Sequence, residues 1–223
     1  MKKKKRRRLK IGRLFLLLLV LGVISFAFMK FFDIKIRNIV IKGNFILTDQ
    51  EIIELANLQN YPPYLEVFSY KVKKDILKNK YVKEAKVYKG LLSVNIKIKE
   101  EKVLYIDSLT NDKITMTSKI NDNKIICVPI LTNSIPLKKQ NEFKEAMNKI
   151  NKNVLCQMSE IKYDPNDVDK ERFYLTMNDG IYVYVTLNKF DKINDYDDIV
   201  STLQDKKGIL YLDNGEYFEV FKN

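Results

Sequence analysis

Residues Leu14 to Met29, LFLLLLVLGVISFAFM, form a run of sixteen without a single charge, bounded by Arg13 and Lys30. A helix of this composition has no polar stripe to turn toward water, so the usual arrangement of a helix packed on a soluble core does not fit it. A bilayer's hydrocarbon core, roughly 30 Å thick, takes about 20 apolar residues. Ile11, Gly12, Phe31 and Phe32 lengthen the run, and the aliphatic stems of Arg13 and Lys30 can lie along it while their charges reach the headgroups. The expectation is a membrane-spanning helix over 14–32.

Nine Lys or Arg residues and no acid occupy positions 1–13. Such a block is held in the cytoplasm, which sends everything after Phe32 to the other side of the membrane. A basic run can also bind nucleic acid, but its position against an apolar span makes anionic lipid the simpler partner. Ser25 and Ala27 fit a small-residue cleavage pattern. However, Phe26, Phe28 and Met29 are bulky, and the run is longer than a usual signal core, so a retained signal anchor is expected. Charge then changes meaning. The chain carries a formal +12, but residues after 32 hold 30 basic against 28 acidic side chains. That near balance argues against nucleic acid as a partner of the exported part.

After the membrane, Ile34 and Ile36 share one face of an extended segment and Ile39 and Ile41 the other, so the phase slips at Arg37-Asn38. A turn at Gly43-Asn44 leads to Leu47-Thr48-Asp49-Gln50-Glu51-Ile52. This is a capping-box signature with Thr48 as cap and Glu51 reaching back, stapled by Leu47 and Ile52. The helix is expected to bury Ile52, Ile53, Leu55 and Ala56 and to stop before Pro62-Pro63. A second helix is predicted from Ser69, with Val72, Ile76 and Leu77 inward. A strand marked by Ala85 and Val87 turns at Lys89-Gly90. The next strand alternates Leu92, Val94, Ile96 and Ile98 with polar residues. The order is β-α-α-β-β.

In the remainder, Lys113–Ser118 and Lys124–Leu131 read as strands. Phe143, Ala146, Met147 and Ile150 recur at helical spacing and read as core. Val154–Tyr163 leads to a turn at Asp164-Pro165. Asn178-Asp179-Gly180, between Arg172–Met177 and Ile181–Leu187, signals a hairpin. Ile193, Tyr196, Val200 and Leu203 suggest a helix stopped by Gly208, and ILYLDNGEYFEVF closes as strand, turn, strand. Cys127 and Cys156 are too few for a disulfide scaffold. Pairing outside the cell is open to them, although two small buried thiols are the commoner arrangement.

IVIKGNFILTDQEI with YVKEAKVYKGLLSVNIKIKEEK resembles the POTRA module of the bacterial division family FtsQ/DivIB. VPILTN, MNDGIYVYVTLNKF and KKGILYLDNGEYFEV resemble, in order, the β domain of the same family. The Gly43-Asn44 turn, the Leu47-Thr48 helix start and the Glu100 exit sit where that pattern has them. Glu101 and Val103 replace the basic residue and proline that often follow. The resemblance implies an α+β chain with a basic cytoplasmic tail (1–13) and a transmembrane anchor (14–32). A POTRA domain (33–102) and a mostly antiparallel β domain with a few helices (103–223) would follow. It also implies a single-pass protein of the cell membrane, at the division septum, that binds coiled-coil division proteins of the FtsB/DivIC and FtsL type.

Chemistry finds little footing. The chain has no histidine, and its seven glycines are scattered one at a time rather than gathered in a phosphate loop. Carboxylates for an exported wall hydrolase would be Glu100 with Glu101, or Asp195, Asp197 and Asp198, and both groups read as solvated faces. No enzyme activity, cofactor, metal or small-molecule substrate is expected. The resemblance implies a non-enzymatic, single-pass division scaffold that helps septum formation, ahead of a POTRA-bearing membrane protein with another extracytoplasmic client and of the hydrolase. Its docking surface is expected on the last strands, where a free edge offers N–H and C=O groups. By the resemblance the family's Tyr-Asp-Ser-Gly turn falls on Leu212-Asp213-Asn214-Gly215, with leucine in place of an aromatic. The candidate contacts are Tyr211, Leu212, Asn214, Gly215, Tyr217, Phe218 and Val220.

Overall fold

The computed structural model describes residues 11–32, 34–204 and 206–222; in the first helix, side chains are described at Gly12 and over 15–30. The basic tail over 1–10 lies outside the described residues. Helix α1 spans Ile11–Phe32, 22 residues, or about 33 Å at 1.5 Å per residue. Among the described residues no helix is long and apolar enough to cross a membrane. In α1 the unbroken run with described side chains is 15–30, which leaves out Leu14, Phe31 and Phe32. The chain divides into two compact units, the first ending at Glu100 and the second beginning at Glu101.

The first unit continues with β1 (Asn38–Lys42), α2 (Asp49–Leu55), a 3-10 turn (Tyr64–Glu66), α3 (Ser69–Ile76), β2 (Val82–Gly90) and β3 (Ser93–Glu100). β3 is the central strand, parallel to β1 and antiparallel to β2. Val94, Ile96 and Ile98 are all buried, as the alternation requires. The Thr48 hydroxyl accepts from Glu51 N–H at 3.2 Å and the Glu51 carboxylate accepts from Thr48 N–H at 2.7 Å. The capping box is therefore complete. Val72 and Ile76 are buried, but Leu77 is 39% exposed: it keeps the helical conformation as C-cap, and at 3.6 residues per turn it falls off the stripe that Val72 and Ile76 share. The hairpin turns at Leu91-Leu92 rather than at Lys89-Gly90. Gly90 pairs with Ser93, and Leu92 takes the left-handed φ of 52°. A glycine drew the expected turn two residues early.

Glu100 also departs from expectation. Its carboxylate is no solvated face: it accepts from the N–H groups of Phe45, Ile46 and Leu47 at 2.9, 2.7 and 2.9 Å. Gly43, at φ +89°, brings this loop so close to β3 that a Cβ there would lie 2.1 Å from the Ile98 carbonyl oxygen. The β1–α2 loop is thus clamped to the end of the central strand.

The second unit contains β4 (Val103–Asp107), β5 (Asp112–Thr115), β6 (Lys119–Ile120), β7 (Ile130–Leu131), α4 (Gln140–Lys149), α5 (Lys152–Gln157), β8 (Met158–Tyr163), β9 (Arg172–Met177) and β10 (Tyr182–Thr186). After a 3-10 stretch (Leu187–Asp195) come α6 (Tyr196–Ser201), β11 (Gly208–Tyr211) and β12 (Tyr217–Val220). The nine strands form one sheet in the order β12-β11-β10-β9-β8-β7-β4-β5-β6. Pairing is mostly antiparallel, with parallel joints at β10–β11, β4–β7 and β7–β8. Phe143, Ala146, Met147 and Ile150 are buried as read. Phe143 stacks on Phe173 at 4.9 Å, and Phe190 meets both rings edge-on at 5.7 and 5.1 Å, a favourable aromatic geometry. The Lys102 ammonium donates to the carbonyls of Met147, Asn148 and Ile150, which closes the C-terminal end of α4.

Three expectations change here. Of 124–131 only Ile130–Leu131 is strand, and Ile125 is 99% exposed, so the alternation had no sheet to lie on. Lys113–Ser118 shortens to Asp112–Thr115, because the Thr115 hydroxyl accepts from the N–H groups of Thr117 and Ser118 and turns the chain. The helix around Ile193 is mainly 3-10, nine residues over Leu187–Asp195, before the short α6. Gly208 lies in β11 and does not stop that helix.

Candidate functional site

β12 is the last strand in its sheet. Among the described residues it pairs with β11 alone, antiparallel, with Gly208 opposite Val220, Ile209 opposite Glu219, Leu210 opposite Phe218 and Tyr211 opposite Tyr217. Just beyond the strand, Phe221 N–H donates to the Lys207 carbonyl at 3.0 Å. In an antiparallel ladder alternate residues bond the same neighbour, so Glu219 and Tyr217 also point their backbone groups at β11. Those of Phe218 and Val220 point outward, to the open edge. Gly208 fixes this register: a Cβ there would fall 2.0 Å from the Glu219 carbonyl oxygen and 2.8 Å from the Phe218 ring.

The two faces differ in chemistry. On the inner face Leu210 is buried and Phe218 packs partly buried against the core. On the outer face tyrosines from four adjacent strands touch in sequence. Tyr174 lies 5.4 Å from Tyr182 and 4.9 Å from Tyr184; Tyr184 stacks on Tyr211 at 5.5 Å, and Tyr211 on Tyr217 at 4.5 Å. The Tyr211 hydroxyl donates to Glu219 at 3.2 Å. Loss of hydration and that carboxylate raise its pKa above the usual phenol value. The Arg172 guanidinium sits 3.6 Å over the Tyr184 ring.

The same arginine holds the β11–β12 turn. Its Nε lies 3.1 Å from an Asp213 oxygen, with both side chains largely buried. The pair is an ion pair by distance rather than an aligned hydrogen bond, since the Arg172 N–H is not aimed at the oxygen. Lys189 donates to the Asp213 carbonyl at 2.9 Å. Leu212 N–H donates to the Tyr184 carbonyl at 2.7 Å.

The seven residues expected to contact a partner therefore divide. Tyr211 and Tyr217 lie on the tyrosine face, Tyr217 52% exposed. Asn214 and Gly215 are exposed at the turn, where Gly215 has φ +100°. Val220, 46% exposed, is at the edge. Phe218 faces inward. Leu212 is 2% exposed and belongs to the core, so its side chain offers nothing to a partner and acts only by setting the turn. Sequence reasoning did not single out Tyr174, Tyr182, Tyr184 or Arg172. The alternation in YVYV puts two tyrosines on one face, but which strands lie beside them depends on the sheet order.

Of the acids weighed for catalysis, Glu100 is spent on three backbone N–H groups. Asp197 accepts from Gln157 at 2.8 Å in the first turn of α6. Among the described residues no group of three or more His, Cys, Asp or Glu could hold a metal ion.

Residues 34–101 match the family model described as POTRA domain, FtsQ-type. The cell division protein DivIB of Bacillus subtilis is 29% identical over 219 residues, covering 93% of this chain and 82% of its own. DivIB of Listeria monocytogenes is 29% identical over 232 residues, covering 98% and 86%. A solved structure, the major extracytoplasmic domain of DivIB from Geobacillus stearothermophilus, superposes on 47% of this chain with a TM-score of 0.39 at 24% identity. An FtsQ-type POTRA domain thus matches the first module, and along nearly all its length the chain is similar to DivIB cell division proteins.

Proposed function

We propose that the protein is a non-enzymatic scaffold of the division machinery. It is anchored by α1 with its N-terminus in the cytoplasm, and it binds coiled-coil division proteins of the FtsB/DivIC and FtsL type outside the membrane, at the septum. The observation that carries the docking site is the open edge of β12: one strand of a nine-stranded sheet with a neighbour on one side only. A partner segment added there would be held by the outward N–H and C=O groups of Phe218 and Val220, and Tyr217 and Tyr211 would read its side chains. The anchor is supported by exposure. Along 15–30 every large apolar side chain is open, Phe15 by 70% and Val20, the least, by 48%. A helix apolar all round with no protein cover takes lipid as its solvent.

The test is co-purification of the full-length chain with its coiled-coil partners from detergent-solubilised membranes. Val220→Pro removes an outward N–H at an edge where proline is tolerated, and is expected to abolish co-purification while the thermal melt stays put. Glu219→Pro instead removes a ladder bond to β11 and is expected to loosen β12 itself. Tyr217→Ala should weaken binding with little change in melting, and Phe218→Ala the reverse. Full binding by a folded Val220→Pro variant would overturn the edge. Capture of an unrelated extracytoplasmic protein in place of the coiled coils would favour another client. A reporter active only outside the cell, fused after Asn223, is expected to be active.

A further inference from the structure

Cys127 and Cys156 are 29 positions apart, yet each thiol lies against the other's backbone. Cys127 Sγ is 3.5 Å from the Cys156 carbonyl oxygen, and Cys156 Sγ is 3.1 Å from that of Cys127. Both are reduced, Cys127 exposed and Cys156 partly so. This corrects the expectation of two buried thiols. Their place in the sheet gives the pair a purpose. β7, which follows Cys127, joins β4 to β8 through two residues on each side: Ile130 and Leu131 meet Ile106 and Asp107 on one flank, Glu160 and Ile161 on the other. It is the narrowest joint in the middle of the nine strands. The preceding residues 121–129 form no regular structure, so the two cysteines meet, each sulfur against the other's carbonyl, just upstream of the paired residues of that joint.

We propose that Cys127 and Cys156 are a disulfide-forming pair that staples the β7–β8 joint when the domain meets a disulfide oxidant. The Cys127 thiolate, the more exposed, attacks one sulfur of the oxidant's disulfide and releases one thiol. The Cys156 thiolate then attacks Cys127 Sγ in the mixed disulfide and releases the second thiol. Two cysteine thiols are oxidised, one oxidant disulfide is reduced, and the two protons end on the released thiols. Burial and the neighbouring Cys127 thiol push Cys156 up to about 11, so little of it is thiolate at neutral pH, and its attack relies on proximity to the mixed disulfide. The oxidant class is a protein or small-molecule disulfide of the kind met outside the cytoplasm. Occurrence in the cell rests on the extracytoplasmic reading above, whereas the pairing itself rests on geometry alone.

The experiment takes the full-length chain in detergent micelles, fully reduced, and equilibrates it with excess glutathione disulfide before alkylation and peptide mapping. The expected result is a cross-linked peptide pair carrying Cys127 and Cys156, with both alkylatable thiols lost together. Cys127→Ser and Cys156→Ser should instead give stable glutathione adducts on the remaining thiol. The linked parent is expected to melt higher by on the order of 10 °C, with slower exchange of the Ile130 and Leu131 amides, and Cys127→Ser should show neither change. Separate glutathione adducts on both thiols, disulfide-linked dimers, or two thiols still open to alkylation would overturn the pair. A linked chain that melted no higher would overturn the staple. If the pair closes in micelles but stays reduced in intact cells, the extracytoplasmic reading fails and the pairing stands.

Discussion

Replacing Glu100 by alanine removes the one side chain that satisfies three consecutive backbone N–H groups in the first unit. Those of Ile46 and Leu47 are partly buried, while that of Phe45 is exposed, so water can take over the last. A net bond to a charged acceptor is worth about 1.5–3 kcal/mol. Two such bonds, discounted for the half-exposed carboxylate, put Glu100→Ala at roughly 3 kcal/mol. In Glu100→Gln the amide oxygen can replace Oε2, which serves Phe45 and Ile46, but the amide NH2 then faces the Leu47 N–H, donor against donor. That variant should lose roughly 2 kcal/mol. For a unit of this size each kcal/mol moves the midpoint by about 4–8 °C, so the alanine variant should melt on the order of 15 °C lower. The assay is a thermal melt by circular dichroism on a soluble 33–223 chain, with amide exchange at 45–47. Exchange there should accelerate in both variants. If both melt within about 2 °C of the parent with exchange unchanged, water satisfies the three N–H groups and the clamp contributes nothing.

Gly208→Ala sets a Cβ 2.0 Å from the Glu219 carbonyl oxygen; a clash with backbone can be relieved only by lifting β12, so a loss of about 2 kcal/mol and of partner co-purification is expected, and wild-type behaviour in both would show that β12 sits elsewhere. Thr48→Ala should cost about 1 kcal/mol in the same melts, and Glu51→Ala less, because water can replace the return bond. Burial, reinforced by Asp107, pushes the Tyr105 phenol up to about 12. A raised folded pKa means its stabilisation is complete below the unfolded value near 10 and is lost as pH climbs through 12. Urea titrations at stepped pH should therefore show stability falling over that window, with a shallower fall in Tyr105→Phe; identical slopes would refute the assignment.

Features whose signal fits inside a few neighbouring residues were decided by the sequence. The apolar run before residue 33, the Thr48–Glu51 capping box, the Asn178-Asp179-Gly180 hairpin and the inward stripe of α4 each depend on a local period or a local hydrogen bond. So does the opposition of Tyr217 and Phe218, since successive side chains on a strand must alternate. Which of the two faces the core was not local: it follows from α4 and the 3-10 stretch covering one side of the sheet and leaving the tyrosines on the other. The same holds for Leu212, an aromatic position by resemblance that tertiary packing makes part of the core. It holds too for Glu100, which reads as an exposed acid until the loop at 45–47 folds back onto it. Strand order alone made β12 an edge, and it brought Cys127 beside Cys156. Pairing partners tens of residues apart are selected by the burial of a whole sheet face and by closure of the loops between them, and no window of sequence contains that choice.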